Sequence, residues 1–138
     1  MLFRSEKNGI RFYNDSKATN VGATAAAIGG LASQPGNVIL IAGGDGKGAD
    51  FSPLAPMFDR YVQCLVVIGQ DAEGIAAQAG AVPVIRCVTL EDAVHRAFEQ
   101  ASPGNIVLLS PACASFDMFE SYVDRGNRFV ALAESIIR

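Results

Sequence analysis

The chain is expected to fold as a single α/β domain: a doubly wound, mainly parallel sheet with helices on both faces. Three observations predict this. Short, nearly continuous apolar runs recur along the sequence, as strands buried on both faces require. Helical patterns fall between them with short connections, which is the signature of repeated strand–helix–strand units. At 138 residues, half of them hydrophobic and 18% charged, the chain is long enough and apolar enough to bury one proper core. Together these describe a Rossmann-like architecture.

Each element can be justified in order. Residues 10–13 (Ile-Arg-Phe-Tyr) read as a first strand, and residues 21–32, rich in Ala and Gly, as a helix. Residues 37–42 (Asn-Val-Ile-Leu-Ile-Ala) form a strand covered on both faces. Ser52-Pro53 marks a helix start over 53–58, an N-cap hydroxyl followed by proline at the first helical position. Residues 64–68 and 106–109 repeat the buried-strand pattern, whereas 84–88 is more mixed and suits a position nearer an edge. Helical periodicity covers 72–78 and 91–101, the latter with Val94, Ala97, Phe98 and Ala101 on one face, and returns through Phe129, Leu132 and Ile136. Residues 1–8 read as a linker remnant ahead of the domain at 9–138.

Composition narrows the function classes. A net charge of −3 without a basic stripe argues against nucleic acid as a partner. Cys64, Cys87 and Cys113 are odd in number and lack CxxC spacing, which suits reduced thiols. With a single histidine they make a zinc site improbable. No run approaches membrane-spanning length and no signal peptide is evident, so a cytoplasmic protein is expected.

Three loops at carboxyl ends of strands carry the chemistry. The first, Asn14-Asp15-Ser16-Lys17-Ala18-Thr19-Asn20, lies at a strand-to-helix turn, where unpaired helix N–H groups face ligands. Capping by Asp15 or Thr19 would explain one oxygen. It would not explain Lys17, a cation where the helix dipole disfavours one unless an anion is also present. The second loop, Gly43-Gly44-Asp45-Gly46-Lys47-Gly48, allows close backbone approach and adds a mobile charge. It is no Walker A loop, because Ile41 and Gly48 stand where glycine and Ser/Thr are needed. Gly44-x-Gly46-x-x-Ala49 matches the relaxed dinucleotide fingerprint, so a free-standing dinucleotide-binding module is one alternative. A non-catalytic interaction domain is another. The third loop, Ser110-Pro111-Ala112-Cys113-Ala114-Ser115, has Ser115 placed as a helix N-cap whose N–H groups could hold a carboxylate. A hydrolase triad does not fit: no GxSxG elbow exists, and His95 lies on the polar face of a helix.

Taken together and in this order, the three motifs resemble the C-terminal domain of the Mur ligase family over about residues 8–138, and specifically its D-glutamate-adding branch, which carries the Asp-Ser-Lys-Ala-Thr-Asn form. The resemblance implies ATP-dependent addition of D-glutamate to UDP-N-acetylmuramoyl-L-alanine through an acyl phosphate, a cytoplasmic step of peptidoglycan synthesis. It implies nucleotide contacts from Asp15 and Asn14, a catalytic role for Lys17 beside the reacting groups, and D-glutamate contacts from Thr19, Lys47, Ser115, Phe116 and Tyr122. It further implies that ATP and Mg²⁺ are bound mainly by a central domain with a P-loop, and that an N-terminal domain holds the uridine nucleotide. Neither is recognisable in this chain, which is therefore expected to be one inactive domain of a longer enzyme.

Overall fold

The computed structural model describes residues 3–32, 34–115 and 118–137, the first three by backbone alone. Their strands are β1 (Phe3–Lys7), β2 (Ile10–Asn14), β3 (Val38–Gly43), β4 (Val62–Ile68), β5 (Val84–Arg86) and β6 (Ile106–Leu109). They form one sheet in the order β1-β2-β6-β3-β4-β5. Pairings from β2 to β5 are parallel, and β1 adds an antiparallel edge. The mainly parallel doubly wound sheet expected from the sequence is what forms, with β5 at an edge.

The sheet also extends into residues 1–8, the stretch expected to be a linker. Asn8 and Gly9 both take positive φ, 55° and 77°, and join Lys7 to Ile10 as a two-residue hairpin. Positive φ at both central positions is the type I′ geometry that Asn-Gly favours, because its twist matches that of the flanking strands.

Alternation along the strands sorts the core onto two faces. Val38, Leu40 and Ala42 point to one side with Leu65, Val67 and Leu108; Ile39 and Ile41 point to the other with Val66, Val107 and Leu109. The first face is covered by α1 (Val21–Leu31), a 3₁₀ turn at Ser52–Leu54, α2 (Ala55–Tyr61) and α3 (Ala72–Ala76). The second is covered by α4 (Leu90–Gln100) and α5 (Tyr122–Ile137). All six residues of β3 are buried, which is why that run is apolar at consecutive positions and not merely at alternate ones. Helix α4 buries Leu90, Ala93, Val94 and Ala97, packs Phe98 and Ala101 against the same core as expected, and leaves His95 exposed. Ser52 lies inside the 3₁₀ turn and donates its hydroxyl to Asp50, so it does not cap α2. Cys64 and Cys113 are buried, and burial pushes the Cys87 thiol up to about 11. Among the described residues no helix is long and apolar enough to cross a membrane.

The winding positions the site. From β2 the chain passes through α1 to β3, leaving room for β6 between them; from β5 it returns through α4, on the opposite face, to that central place. The loops that follow β2, β6 and β3 therefore meet at the carboxyl edge of three neighbouring strands. Ligands of open α/β sheets bind at such a reversal.

Candidate functional site

Hydrogen bonds knit the three loops into one surface. The Asp15 N–H donates to Leu109 O at 2.7 Å, and the Ala112 N–H to Ala18 O at 3.0 Å, joining the first loop to the third. The Gly43 N–H donates to Pro111 O, and Asp45 and Ala114 exchange N–H···O bonds of 3.0 and 2.9 Å, joining the second loop to the third. Gly44 makes that exchange possible. Its φ is +133°, and a Cβ there would fall 2.4 Å from Ala114 O. Asp71 braces the second loop from outside by accepting the Gly46 N–H at 2.6 Å.

Helix α5 closes the site from the side. Ser16 donates its hydroxyl to Tyr122 O at 2.6 Å. Arg125, 1% exposed, donates Nε–H to Ser16 Oγ and Nη2–H to Ser16 O, both at 2.9 Å. Gly126 allows the approach, since a Cβ there would meet the Asn14 side chain at 2.9 Å. A guanidinium presents its donors in a rigid planar fork that fits two oxygens of one residue; a lysine ammonium is a point charge without that fixed geometry. Neither Arg125 nor Gly126 was singled out by sequence reasoning. Their adjacency in an otherwise amphipathic helix was the available signal, because a buried Arg beside a buried Gly implies close packing against a polar neighbour.

Asn14, Asp15, Lys17 and Tyr122 line a common cleft of about 240 Å³. Four of the eight expected site residues thus come together, although Tyr122 and Lys17 lie more than one hundred positions apart. The Asn14 carboxamide accepts the Ser16 N–H at 3.0 Å and shapes the turn. Burial raises the Asp15 carboxyl above its ordinary range, and a hydrogen bond from Ser110 works against that rise. Lys17 and Tyr122 are exposed, so an ammonium and an aromatic ring both face the cleft's opening.

The remaining expected residues stand apart from this cleft. Thr19 is half-buried just before α1, and the cap is neither Asp15 nor Thr19 but Asn20, whose Oδ1 accepts the Ala23 N–H at 2.9 Å. Lys47 sits on an exposed turn at φ +52°, its N–H held by Asp45 Oδ1. Ser115 is buried, and α5 does not follow it directly. Its carbonyl accepts the N–H groups of Met118 and Phe119, and α5 starts only after Ser121, whose hydroxyl accepts the Asp124 N–H at 3.1 Å. Phe116 lies outside the described residues. The loop after Gly44 runs on to the 3₁₀ turn at Ser52, so no helix opens inside the dinucleotide-like Gly44-x-Gly46-x-x-Ala49. A larger groove of about 510 Å³ lies between the start of α4 and α5. Its Arg128 is already tied to Asp124 at 3.2 Å, and its walls are chiefly apolar, including Met118, Phe119 and Leu132. The smaller cleft is the one that gathers a carboxylate, an amide and an ammonium at the switch point.

Known proteins resemble this chain in sequence and in fold. The model of the family described as "Mur ligase, glutamate ligase domain" matches residues 1–113. A UDP-N-acetylmuramoylalanine–D-glutamate ligase of Marinobacter nauticus is 55% identical over 130 residues, covering 94% of this chain and 29% of the relative. The chain spans 27–30% of the length of the curated relatives it matches. Among solved structures, a UDP-N-acetylmuramoyl-L-alanyl-D-glutamate–2,6-diaminopimelate ligase superposes with a TM-score of 0.63 at 14% identity, over 96% of this chain and 31% of that one. A MurF ligase from Thermotoga maritima, solved with ADP, gives 0.57 at 15% identity, over 96% and 30%. At these identities the structural likeness speaks for the fold alone.

Proposed function

The chain belongs to the Mur ligase family through its glutamate ligase domain, and on that premise we propose that it is the part of an ATP-dependent amide-forming ligase that joins D-glutamate to UDP-N-acetylmuramoyl-L-alanine in cytoplasmic peptidoglycan synthesis. The single observation that carries this reading is the convergence of Asp15, Lys17 and Tyr122 on one cleft at the switch point. Its specificity is supported by the 55% identity to a relative named for that reaction.

The chemistry fits the side chains. The γ-phosphoryl group of ATP passes to the muramoyl-alanine carboxylate. The D-glutamate amine then attacks the acyl phosphate, and phosphate leaves from a tetrahedral intermediate as the amide forms. Lys17 is exposed at the cleft opening and can follow charge that builds on the transferring phosphoryl and acyl oxygens. Asp15 and Asn14 are acceptors suited to the donor groups of a nucleotide. Tyr122 and Thr19 flank the amino acid, with Ser115 and Phe116 in the third loop. Lys47, on its exposed turn, has a stem long enough to bring an ammonium to one of the two D-glutamate carboxylates. Positioning and charge stabilisation supply most of the rate in such transfers, so no general base is needed in this domain. Among the described residues no group of three or more His, Cys, Asp or Glu could hold a metal. Mg²⁺, most of the nucleotide and the uridine substrate are assigned to the remaining length of the ligase, since this chain spans only 29% of such a relative. The chain alone is then inactive.

Kinetics of the full-length ligase test the assignment. Lys17→Ala should lower kcat more than it raises any KM, because its target gains charge only during transfer. Lys47→Ala should raise the KM for D-glutamate about ten- to hundredfold, the effect of losing a charged hydrogen bond of about 1.5–3 kcal/mol. His95→Ala should change neither. Normal turnover in Lys17→Ala with loss in His95→Ala would overturn the assignment.

A further inference from the structure

We propose that Ser110 is a positioning residue, holding the Asp15 carboxylate in its working orientation through one hydroxyl proton for which Thr24 competes; the importance of that orientation rests on reading Asp15 as a nucleotide contact. The proton count follows from three distances. The Thr24 hydroxyl donates to Ser110 O at 3.1 Å, which commits its only proton. Ser110 Oγ lies 3.1 Å from Thr24 Oγ1, and in that pair Ser110 must therefore be the donor. Ser110 Oγ also lies 3.3 Å from Asp15 Oδ2, where an ionised carboxylate can only accept. One proton thus faces two acceptors. Ser110 and Thr24 are both fully buried, so solvent cannot supply Thr24 with another donor, whereas Asp15 also faces the cleft. The main chain holds the same junction, through the Asp15 N–H to Leu109 O and the Ser110 N–H to Ile41 O. The other charged group on the turn, Lys17, is exposed, and Arg125 spends its two hydrogen bonds described above on Ser16.

The arrangement predicts opposite effects from two neighbouring substitutions. Ser110→Ala removes the donor and should raise the midpoint at which Asp15 titrates. Thr24→Val removes the competing acceptor while keeping the shape, and should lower it, because the Ser110 proton then goes to Asp15 undivided. Carbon-detected NMR titration of the Asp15 carboxyl in the 138-residue chain reads both. Should Ser110→Ala fail to fold, Ser110→Cys, with a weaker donor, should give a smaller shift in the same upward direction. Opposite shifts support the proposal. Shifts of the same sign, or none in Ser110→Ala, overturn it, since loosened packing alone would move both variants alike. ADP added to the same samples separates the premise from the inference. If the shifts are opposite but Asp15→Asn leaves the ADP response unchanged, the proton sharing stands and the nucleotide role of Asp15 falls.

Discussion

Replacing Arg125 by Met tests whether α5 holds the Asp15–Lys17 turn in place. Methionine keeps most of the apolar stem, so the cavity contribution is small. What disappears is a pair of hydrogen bonds of 2.9 Å from one guanidinium to Ser16 Oγ and Ser16 O. Bonds to a charged donor are worth about 1.5–3 kcal/mol each. Relief of the desolvation cost of a fully buried cation offsets part of the loss. Ser16 keeps its bond to Tyr122 O, so its hydroxyl is not orphaned, but its carbonyl loses the Arg125 donor. A net destabilisation of about 2–4 kcal/mol follows, and for a domain of this size roughly 10 °C in Tm. Urea unfolding followed by circular dichroism gives the energy, and amide exchange at Ser16 and Lys17 shows where the structure loosens. Arg125→Lys should recover less than half, because an ammonium lacks the rigid fork and is more strongly hydrated, so its burial costs more. A loss below about 0.5 kcal/mol in Arg125→Met, the range of an ordinary surface substitution, would refute the reasoning.

Two further outcomes follow from the geometry. Gly44→Ala should cost more than about 3 kcal/mol or prevent folding, since a Cβ would lie 2.4 Å from a backbone oxygen at φ +133°; a near-neutral melt would show that the second and third loops can separate freely. Asp15→Asn should stabilise the chain increasingly as pH rises from about 3 to 7. Burial raises the folded carboxyl above 3.8, so the folded state holds its proton longer than the unfolded one, and native stability falls as pH climbs through that window. The neutral amide escapes this penalty, and a gain that did not grow with pH, measured by urea midpoints, would contradict the assigned cause.

How much of this was legible depended on whether the determining contacts were local. Strands β3, β4 and β6 were readable because burial on both faces leaves a continuous apolar run. The edge strand β1 was not, since its sequence is polar and its signal lay in the Asn8-Gly9 turn instead. The first loop's polar run located the site, yet the cap fell on Asn20, because the chain makes a further turn through Ala18 before α1 starts. The start of α5 was not legible from the third loop, since Ser115 lies seven positions ahead of it. Ser115 is buried, and α5 begins only at Tyr122, with Ser121 as the residue whose hydroxyl accepts at its start. The pairing of Ser16 with Tyr122 and Arg125 spans more than one hundred residues, and no local pattern encodes it.

The central claim is that the meeting point of the loops after β2, β3 and β6 is where D-glutamate and the nucleotide touch this domain. A ¹H–¹⁵N NMR titration of the 138-residue chain with D-glutamate, and separately with ADP, tests it most directly. Affinity should be around millimolar or weaker, since a Kd of ~1 mM corresponds to only about −4 kcal/mol and most contacts are assigned to the rest of the ligase. The account predicts shifts confined to residues 14–20, 43–48 and 110–127, with Lys17 and Tyr122 among the largest. Shifts centred instead on Thr89, Glu91 and Leu132, in the larger groove between α4 and α5, would contradict it.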